Sequence, residues 1–215
     1  MPLNSLTWRL QRRAVALAIG LTLALHALDA AAAETMAAKD AERFVRGFVA
    51  QVGGLLTQAS AGEATDDHRV RQVLTAGFDV KTMSKFVLDD HWGAASQAER
   101  NEFGALFQRF LLDTYVDQLG KLSGGRFDVV AARPRGSKGY QVRSTMSGAG
   151  GAPRFHVEWR LWHAEPGWRI VDVMVQGVSL LKTYRSQFTH LIGQNGGDVG
   201  GLLVALRKRV VADAR

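Results

Sequence analysis

The chain has 215 residues and contains no cysteine, which excludes disulfide frameworks, thiolate metal sites and thiol catalysis. Apolar residues make up 47% and charged residues 22% of the sequence, a composition that suits a globular protein with a sizeable core. The formal net charge is +7, but no run of five basic residues occurs. The positive excess therefore fits either solubility or an anionic membrane surface better than it fits nucleic acid.

The N-terminus has the features of an export signal. Three arginines precede an apolar stretch at 14–25, and the small residues Ala31 and Ala33 follow at the spacing of a cleavage site. The stretch is short for a membrane-spanning helix and is soon followed by His26 and Asp29, so a retained membrane anchor is the less favoured alternative. We predict a signal peptide over 1–33 and a single mature domain over 34–215. Cleavage would remove three arginines and one aspartate, which lowers the net charge from +7 to +5.

The first half of the mature chain has helical periodicity. A capping box, Ser96 with Glu99, marks the start of the clearest helix, because each side chain can satisfy a free N–H of the first turn. Apolar side chains then recur at intervals of three and four residues, at Phe103, Leu106, Phe107, Phe110, Leu111, Thr114 and Tyr115. We predict helices over 38–59, 67–75, 80–88 and 96–119.

After Gly125 the periodicity changes to two. Four strand candidates follow in order and are separated by short turns: "RFDVVAARP", "GYQVRSTMSG", "PRFHVEWRLWH" and "GWRIVDVMVQG". Short connections between sequential strands predict an antiparallel meander. In the third strand Val157 and Trp159 alternate with His156 and Glu158, which predicts one apolar and one polar face.

Two further helices are predicted, over 180–192 and 199–210, with Asp198 as the N-cap of the second. The basic residues 207–209 fit the last turn of that helix, where cations suit the helix dipole. Helices followed by strands and then helices indicate an α+β fold.

Asp172 is the strongest acidic candidate, because an ionised carboxylate within an apolar strand must be paired or hydrogen-bonded. Arg143, Arg160 and Lys182 are candidate partners that the sequence does not separate. We favour a structural ion pair. The alternative is a catalytic acid with a raised pKa, which would act with His156 or with Tyr115 in a small enzyme.

Other candidate sites have simpler interpretations. The ligand-type residues at 89–91 are adjacent and have no partner motif, so we expect no metal site there. His156 and Glu158 share a strand face, which we interpret as a polar face. Ser179 follows Gly177 before a helix and resembles a nucleophile elbow, but a helix N-cap fits its position better. We expect no catalytic residues, metal or cofactor.

The apolar residues are numerous enough for a solid core, and they would also line a cavity between helices and sheet. Periodicity does not separate these two arrangements, so an interaction module with a solid core remains an alternative at this point.

A family resemblance separates them. The segments "FVLDDHWGAASQAERNEFGALFQRFLLDTYVDQL", "VEWRLWHAEPGWRIVDVMVQGVSLLKTYRSQF" and "LIGQNGGDVGGLLVALR" resemble, in order, the MlaC-like or toluene-tolerance family of periplasmic phospholipid-binding proteins. The resemblance implies a helix layer over a twisted four-stranded antiparallel sheet, with an apolar cavity between them. It implies a non-enzymatic carrier that holds the acyl chains of a glycerophospholipid.

The resemblance also implies partners and site residues. Such carriers move lipid between an outer-membrane lipoprotein complex and an inner-membrane ABC transporter that has a membrane-anchored lipid-binding subunit. A related layout associated with hopanoids leaves a hopanoid or other isoprenoid lipid as an alternative ligand. The predicted pocket residues are Tyr115, Val178, Trp159, Val171, Val173, Phe107, Leu111, Leu181 and Phe188.

Overall fold

The computed structural model describes residues 33–55, 58, 67–120, 125–148 and 154–212, and the side chains of 67–68, 115–120 and 212 fall outside this description. The predicted signal peptide therefore lies outside the described residues, apart from Ala33. The chain divides into two compact units, Met1–Asp40 and Ala41–Arg215. Of the first unit only 33–40 is described, and it is helical.

Seven helices are described: α1 (33–55), α2 (Asp67–Gly77), α3 (Val80–Leu88), α4 (His91–Ala94), α5 (Gln97–Gly120), α6 (Leu180–Gln194) and α7 (Val199–Ala212). The six predicted helices are confirmed, and the single turn α4 was not predicted. Within the described ranges, none of the helices has the length and hydropathy needed to cross a bilayer.

Local hydrogen bonds explain where these helices begin. At the start of α5, Ser96 N donates to Glu99 Oε2 (2.7 Å) and Glu99 N donates to Ser96 Oγ (3.2 Å), so the predicted capping box is confirmed. Asp198 Oδ1 accepts from Gly200 N at the start of α7. The hydrogen bonds from Ser96 hold the pKa of the Glu99 carboxyl below its ordinary value.

We expect Ser96→Ala to destabilise the protein by about 1 kcal/mol, the usual loss for a serine N-cap. The pKa of Glu99 is lower in the folded state, so its stabilisation is present above the unfolded pKa and is lost as the pH falls through the folded pKa. The difference between wild type and variant in urea unfolding should therefore shrink in acid. A difference that grows in acid would contradict the reciprocal cap.

The sheet is an antiparallel meander of five strands in sequence order: β1 (Arg126–Arg135), β2 (Gly139–Ser147), β3 (Phe155–Ala164), β4 (Gly167–Val175) and β5 (Val178–Ser179). The four predicted strands are confirmed, and β5 is an addition. A two-residue turn joins β4 to β5, with positive φ at Gln176 (50°) and Gly177 (81°). Two positive φ values are typical of a tight hairpin, so the chain reverses at the point where the sequence predicts the end of the sheet.

Two bulges interrupt the strands. The β1–β2 pairing passes from Val129 to Ala131, and the β3–β4 pairing passes from Arg160↔Asp172 to Leu161↔Ile170. Val130 and Val171 are therefore the additional residues. Because a bulge inserts one residue, the alternation of faces shifts by one across it.

The helical core is the largest apolar cluster. Its fully buried members include Phe103 and Phe107 of α5 and Ile192 of α6, together with Leu202 of α7. The Phe107 ring meets the Phe188 ring edge-on, with centroids 5.9 Å apart. This cluster joins α3, α5, α6 and α7, and none of its members belongs to a strand of the sheet.

Candidate functional site

One face of the sheet is almost entirely apolar. Side chains of residues directly opposite on neighbouring strands share a face, so the strand pairing defines rows of neighbours across the sheet. The rows are Phe127–Met146–Phe155, then Val129–Ser144–Val157–Val175–Val178, then Ala132–Val142–Trp159–Val173, then Pro134–Tyr140–Leu161–Ile170. We call these four rows the apolar face.

Burial changes along the apolar face. Val142, Leu161 and Ile170 are buried at 0–3% exposure. Near the other end Phe127, Met146 and Phe155 are only half-buried, while Val175 is 38% and Val178 63% exposed. We call these last five residues the apolar rim. An exposed patch of neighbouring apolar side chains marks a binding surface more often than isolated ones do.

Trp159 lies at the centre of the face and is 6% exposed. The Phe48 ring of α1 packs edge-on against it, and Phe127 approaches from the rim, with centroid distances of 6.1 and 6.4 Å. Phe48 also packs on Phe78, which contacts the helical core. Gly77 makes room for this contact, because a Cβ at that position would clash with the Phe48 ring.

Ser144 is the polar residue of the middle rows, and its hydroxyl forms hydrogen bonds with protein groups. Trp159 Nε1 donates to Ser144 Oγ (2.9 Å), and Ser144 Oγ–H donates to the Val157 carbonyl (3.0 Å). Ser144 is 1% exposed. Its single hydroxyl hydrogen is already donated to Val157, so it is not available to a ligand. This part of the face can therefore bind through apolar contact but supplies no acid, base or nucleophile.

Asp172 lies on the opposite face and is 4% exposed. Its Oδ2 accepts from Arg160 Nη1 (2.8 Å) and from the Ser179 hydroxyl (2.7 Å), and its Oδ1 accepts from Leu181 N (3.2 Å). Lys182 joins this hydrogen-bond network through its backbone N–H, which donates to Ser179 Oγ. The carboxylate thus ties β3, β4 and the start of α6 together.

These contacts decide between the candidate partners of Asp172. Arg160 is the partner, whereas Arg143 stands opposite Glu158 in the β2–β3 pairing. Ser179 is confirmed as the N-cap of α6, as predicted.

The predicted pocket residues fall into separate groups. Trp159, Val173 and Val178 lie on the apolar face. Four others belong to the helical core: Phe107, Leu181 and Phe188 are buried in it, and Leu111 packs against it.

Two predicted pocket residues, Val171 and Tyr115, belong to neither group. Val171 is the additional residue of the β4 bulge, and Ile170 pairs with Leu161 on the apolar face instead. The side chain of Tyr115 lies outside the described part of the chain, so its predicted role stays a prediction.

Sequence reasoning missed most of the rim. Phe127, Met146 and Phe155 occupy alternate positions of the predicted strands, and extending the alternation of β3 to its neighbours would have found them. Val175 was predicted to be in β4, but its exposure depends on the hairpin to β5, which has no period-two signal.

Among the side chains that the structure describes, no group of three or more His, Asp or Glu residues is close enough to hold a metal ion. In the 89–91 segment, Asp89 pairs with Arg185 of α6. Glu158 accepts a hydrogen bond from Gln141 on the polar face.

Comparison with known proteins identifies the family and the fold. The family model described as MlaC protein matches residues 50–208, which is more than half of the chain. This chain belongs to the MlaC family. A solved structure described as a phospholipid-binding protein from Ralstonia solanacearum, in complex with a phospholipid, matches with a TM-score of 0.67 and 22% identity. The match covers 82% of this chain and 98% of that one, so the α+β fold predicted from sequence is shared, with five strands here.

Proposed function

We propose that this protein is a periplasmic lipid carrier that holds the acyl chains of a glycerophospholipid against the apolar face. The observation that carries the proposal is the gradient along this face, from buried Val142 and Ile170 to the exposed rim at Val178. Membership of the MlaC family and the fold shared with a phospholipid-binding protein support it.

The energetics of acyl chains suit such a surface. Each buried CH₂ contributes about 0.8 kcal/mol, so two acyl chains leave about 20 kcal/mol of unfavourable hydration in water. A lipid therefore needs a protein surface to cross an aqueous space. Trp159, Val173 and the rim offer apolar contact at that surface, and Ser144 is already satisfied by protein groups.

The environment of Asp172 argues against the enzyme alternative. The carboxylate accepts three hydrogen bonds and is 4% exposed. It also stands on the face opposite to Trp159 and Val173. An acid that is engaged in this way and turned away from the apolar face fits a structural role.

The proposal extends to location and partners. Family membership supports a periplasmic carrier that exchanges lipid with an inner-membrane ABC transporter, through its anchored lipid-binding subunit, and with an outer-membrane lipoprotein complex. In this pathway residues 1–33 act as the export signal. The proposed lipid-lining residues are Trp159, Val173, Val178 and the rest of the rim, and Phe107, Leu111, Leu181, Phe188, Tyr115 and Val171 stay predictions.

The test is to express the full chain in a Gram-negative host and to purify the protein from the periplasmic fraction without detergent. We expect an intact mass that matches cleavage near Ala33, and near-stoichiometric glycerophospholipid in an organic extract measured by mass spectrometry. A cytoplasmic protein loaded with the same lipid would contradict the location only.

An empty periplasmic protein would contradict the phospholipid proposal. Reloading the protein with a total lipid extract from a hopanoid-producing bacterium then tests the alternative ligand, because a bound isoprenoid lipid has no fatty-acyl fragments in its mass spectrum.

A further inference from the structure

A cluster of cations that form no ion pair with the described residues lies at the end of the sheet farthest from the apolar rim. Arg135 and Arg169 belong to one cross-strand row of the polar face, Arg135–Gly139–Trp162–Arg169, and Arg133 belongs to the next row. Lys138 lies in the β1–β2 turn, which is tied to β3 because His163 N donates to the Lys138 carbonyl (3.0 Å). We call Arg133, Arg135, Lys138, Arg169 and Trp162 the basic patch.

The cations of the basic patch differ from other arginines of this chain. Arg109, Arg160 and Arg207 each form an ion pair with a carboxylate. None of the four patch cations forms an ion pair with another described residue, and the side chain of Arg169 donates only to the neighbouring Trp168 carbonyl. Glu165, in the adjacent β3–β4 turn, does not neutralise the four positive charges.

Trp162 is the second observation. Its side chain is 44% exposed, although tryptophan is usually well buried. It makes no ring contact with another described residue, and Gly139, its neighbour on β2, has no side chain to cover it. An exposed indole among cations is typical of a surface that enters the headgroup region of a bilayer, where one end of the ring is apolar and the other is wet.

We propose that the basic patch docks the protein on an anionic phospholipid surface. The four cations supply charge complementarity to the headgroups, and Trp162 supplies interfacial apolar contact. This surface is distinct from the apolar face, and the proposal does not depend on what that face carries. Along β3 the patch residue Trp162 lies about 23 Å from the rim residue Phe155, seven residues at about 3.3 Å each.

The test uses the full chain and unilamellar vesicles of phosphatidylcholine, with or without phosphatidylglycerol, in a flotation assay. We expect binding only to the vesicles with phosphatidylglycerol at about 0.1 M salt, and loss of binding as added salt shortens the Debye length. Reversal of two exposed patch charges, Arg133→Glu with Arg135→Glu, should weaken binding at least about 25-fold, since each cation near the surface contributes about fivefold.

The matched control is Arg154→Glu with Lys208→Glu, which changes the net charge equally at two exposed positions. Arg154 precedes β3 at its rim end, and Lys208 belongs to α7, which packs against α5 and α6. This control should bind within about twofold of wild type, because charges far from the surface are screened. Trp162→Ala should weaken binding severalfold and leave the salt dependence unchanged. Equal losses in both charge-reversed proteins, or no vesicle binding by the wild type, would overturn the proposal, and the second result would direct the search to an acidic protein partner.

Discussion

We expect the Val178→Glu protein to fold normally and to lose its lipid. Val178 is 63% exposed, so the substitution should change the free energy of unfolding by no more than about 0.5 kcal/mol. The new carboxylate would lie beside Val175, at the rim where an acyl chain leaves water, and desolvating a charge there is costly. Lipid extracted per mole of protein should fall at least tenfold, as measured by mass spectrometry.

Val204→Glu is the matched control, because Val204 of α7 is also an exposed valine, at 44%, and lies outside the sheet. It should retain the wild-type amount of lipid. Equal lipid in the two variants would remove the rim from the proposed site. Severe destabilisation by Val178→Glu would instead support the alternative in which these apolar residues form a solid core.

The second large effect is expected from Asp172→Asn. The substitution removes the charge that Arg160 faces in a pair whose side chains are 5% and 18% exposed. Breaking a buried pair from one side leaves the other charge uncompensated, which costs about 3 kcal/mol or more. The urea midpoint should therefore fall by about 1 to 2 M.

Asp128→Asn provides the comparison, because the Arg126–Asp128 pair is 70% and 39% exposed. Exposed pairs contribute less than about 1 kcal/mol, so this variant should unfold close to wild type. Equal midpoints for the two variants would mean that Asp172 does not hold β3, β4 and α6 together. Lipid content per folded molecule should persist in Asp172→Asn, since Asp172 lies on the face opposite to Trp159.

The secondary structure was largely predictable because strong local signals mark it. The bounds of α3, Val80–Leu88, agree with the prediction, and the capping box at Ser96 placed the start of α5 within one residue. The hairpin to β5 was missed because its geometry depends on positive φ at Gln176 and Gly177, and glutamine is not a residue that signals such a turn.

The site was less predictable, for a physical reason. Apolar periodicity reports that a side chain is turned away from water and does not report which neighbour covers it. Phe107 and Trp159 are both predicted to be turned away from water and to line the pocket, yet one is buried among helices and the other lies on the sheet under Phe48. Apart from Val178, the apolar rim was missed because it is defined by incomplete cover, which depends on elements distant in sequence.

The bulge at Val171 has a practical consequence for changing which molecules this protein accepts. A library built on alternate positions of β4 would vary Val171 together with Val173, and one of the two lies outside the regular pairing. The productive set is Ile170, Val173 and Val175, whose spacing is three and then two. If β4 kept Val171 in regular pairing, Ile170 and Asp172 would lie two positions apart and would share a face. The bulge therefore lets one short strand contribute Ile170 to an apolar surface and Asp172 to an ion pair on the other side.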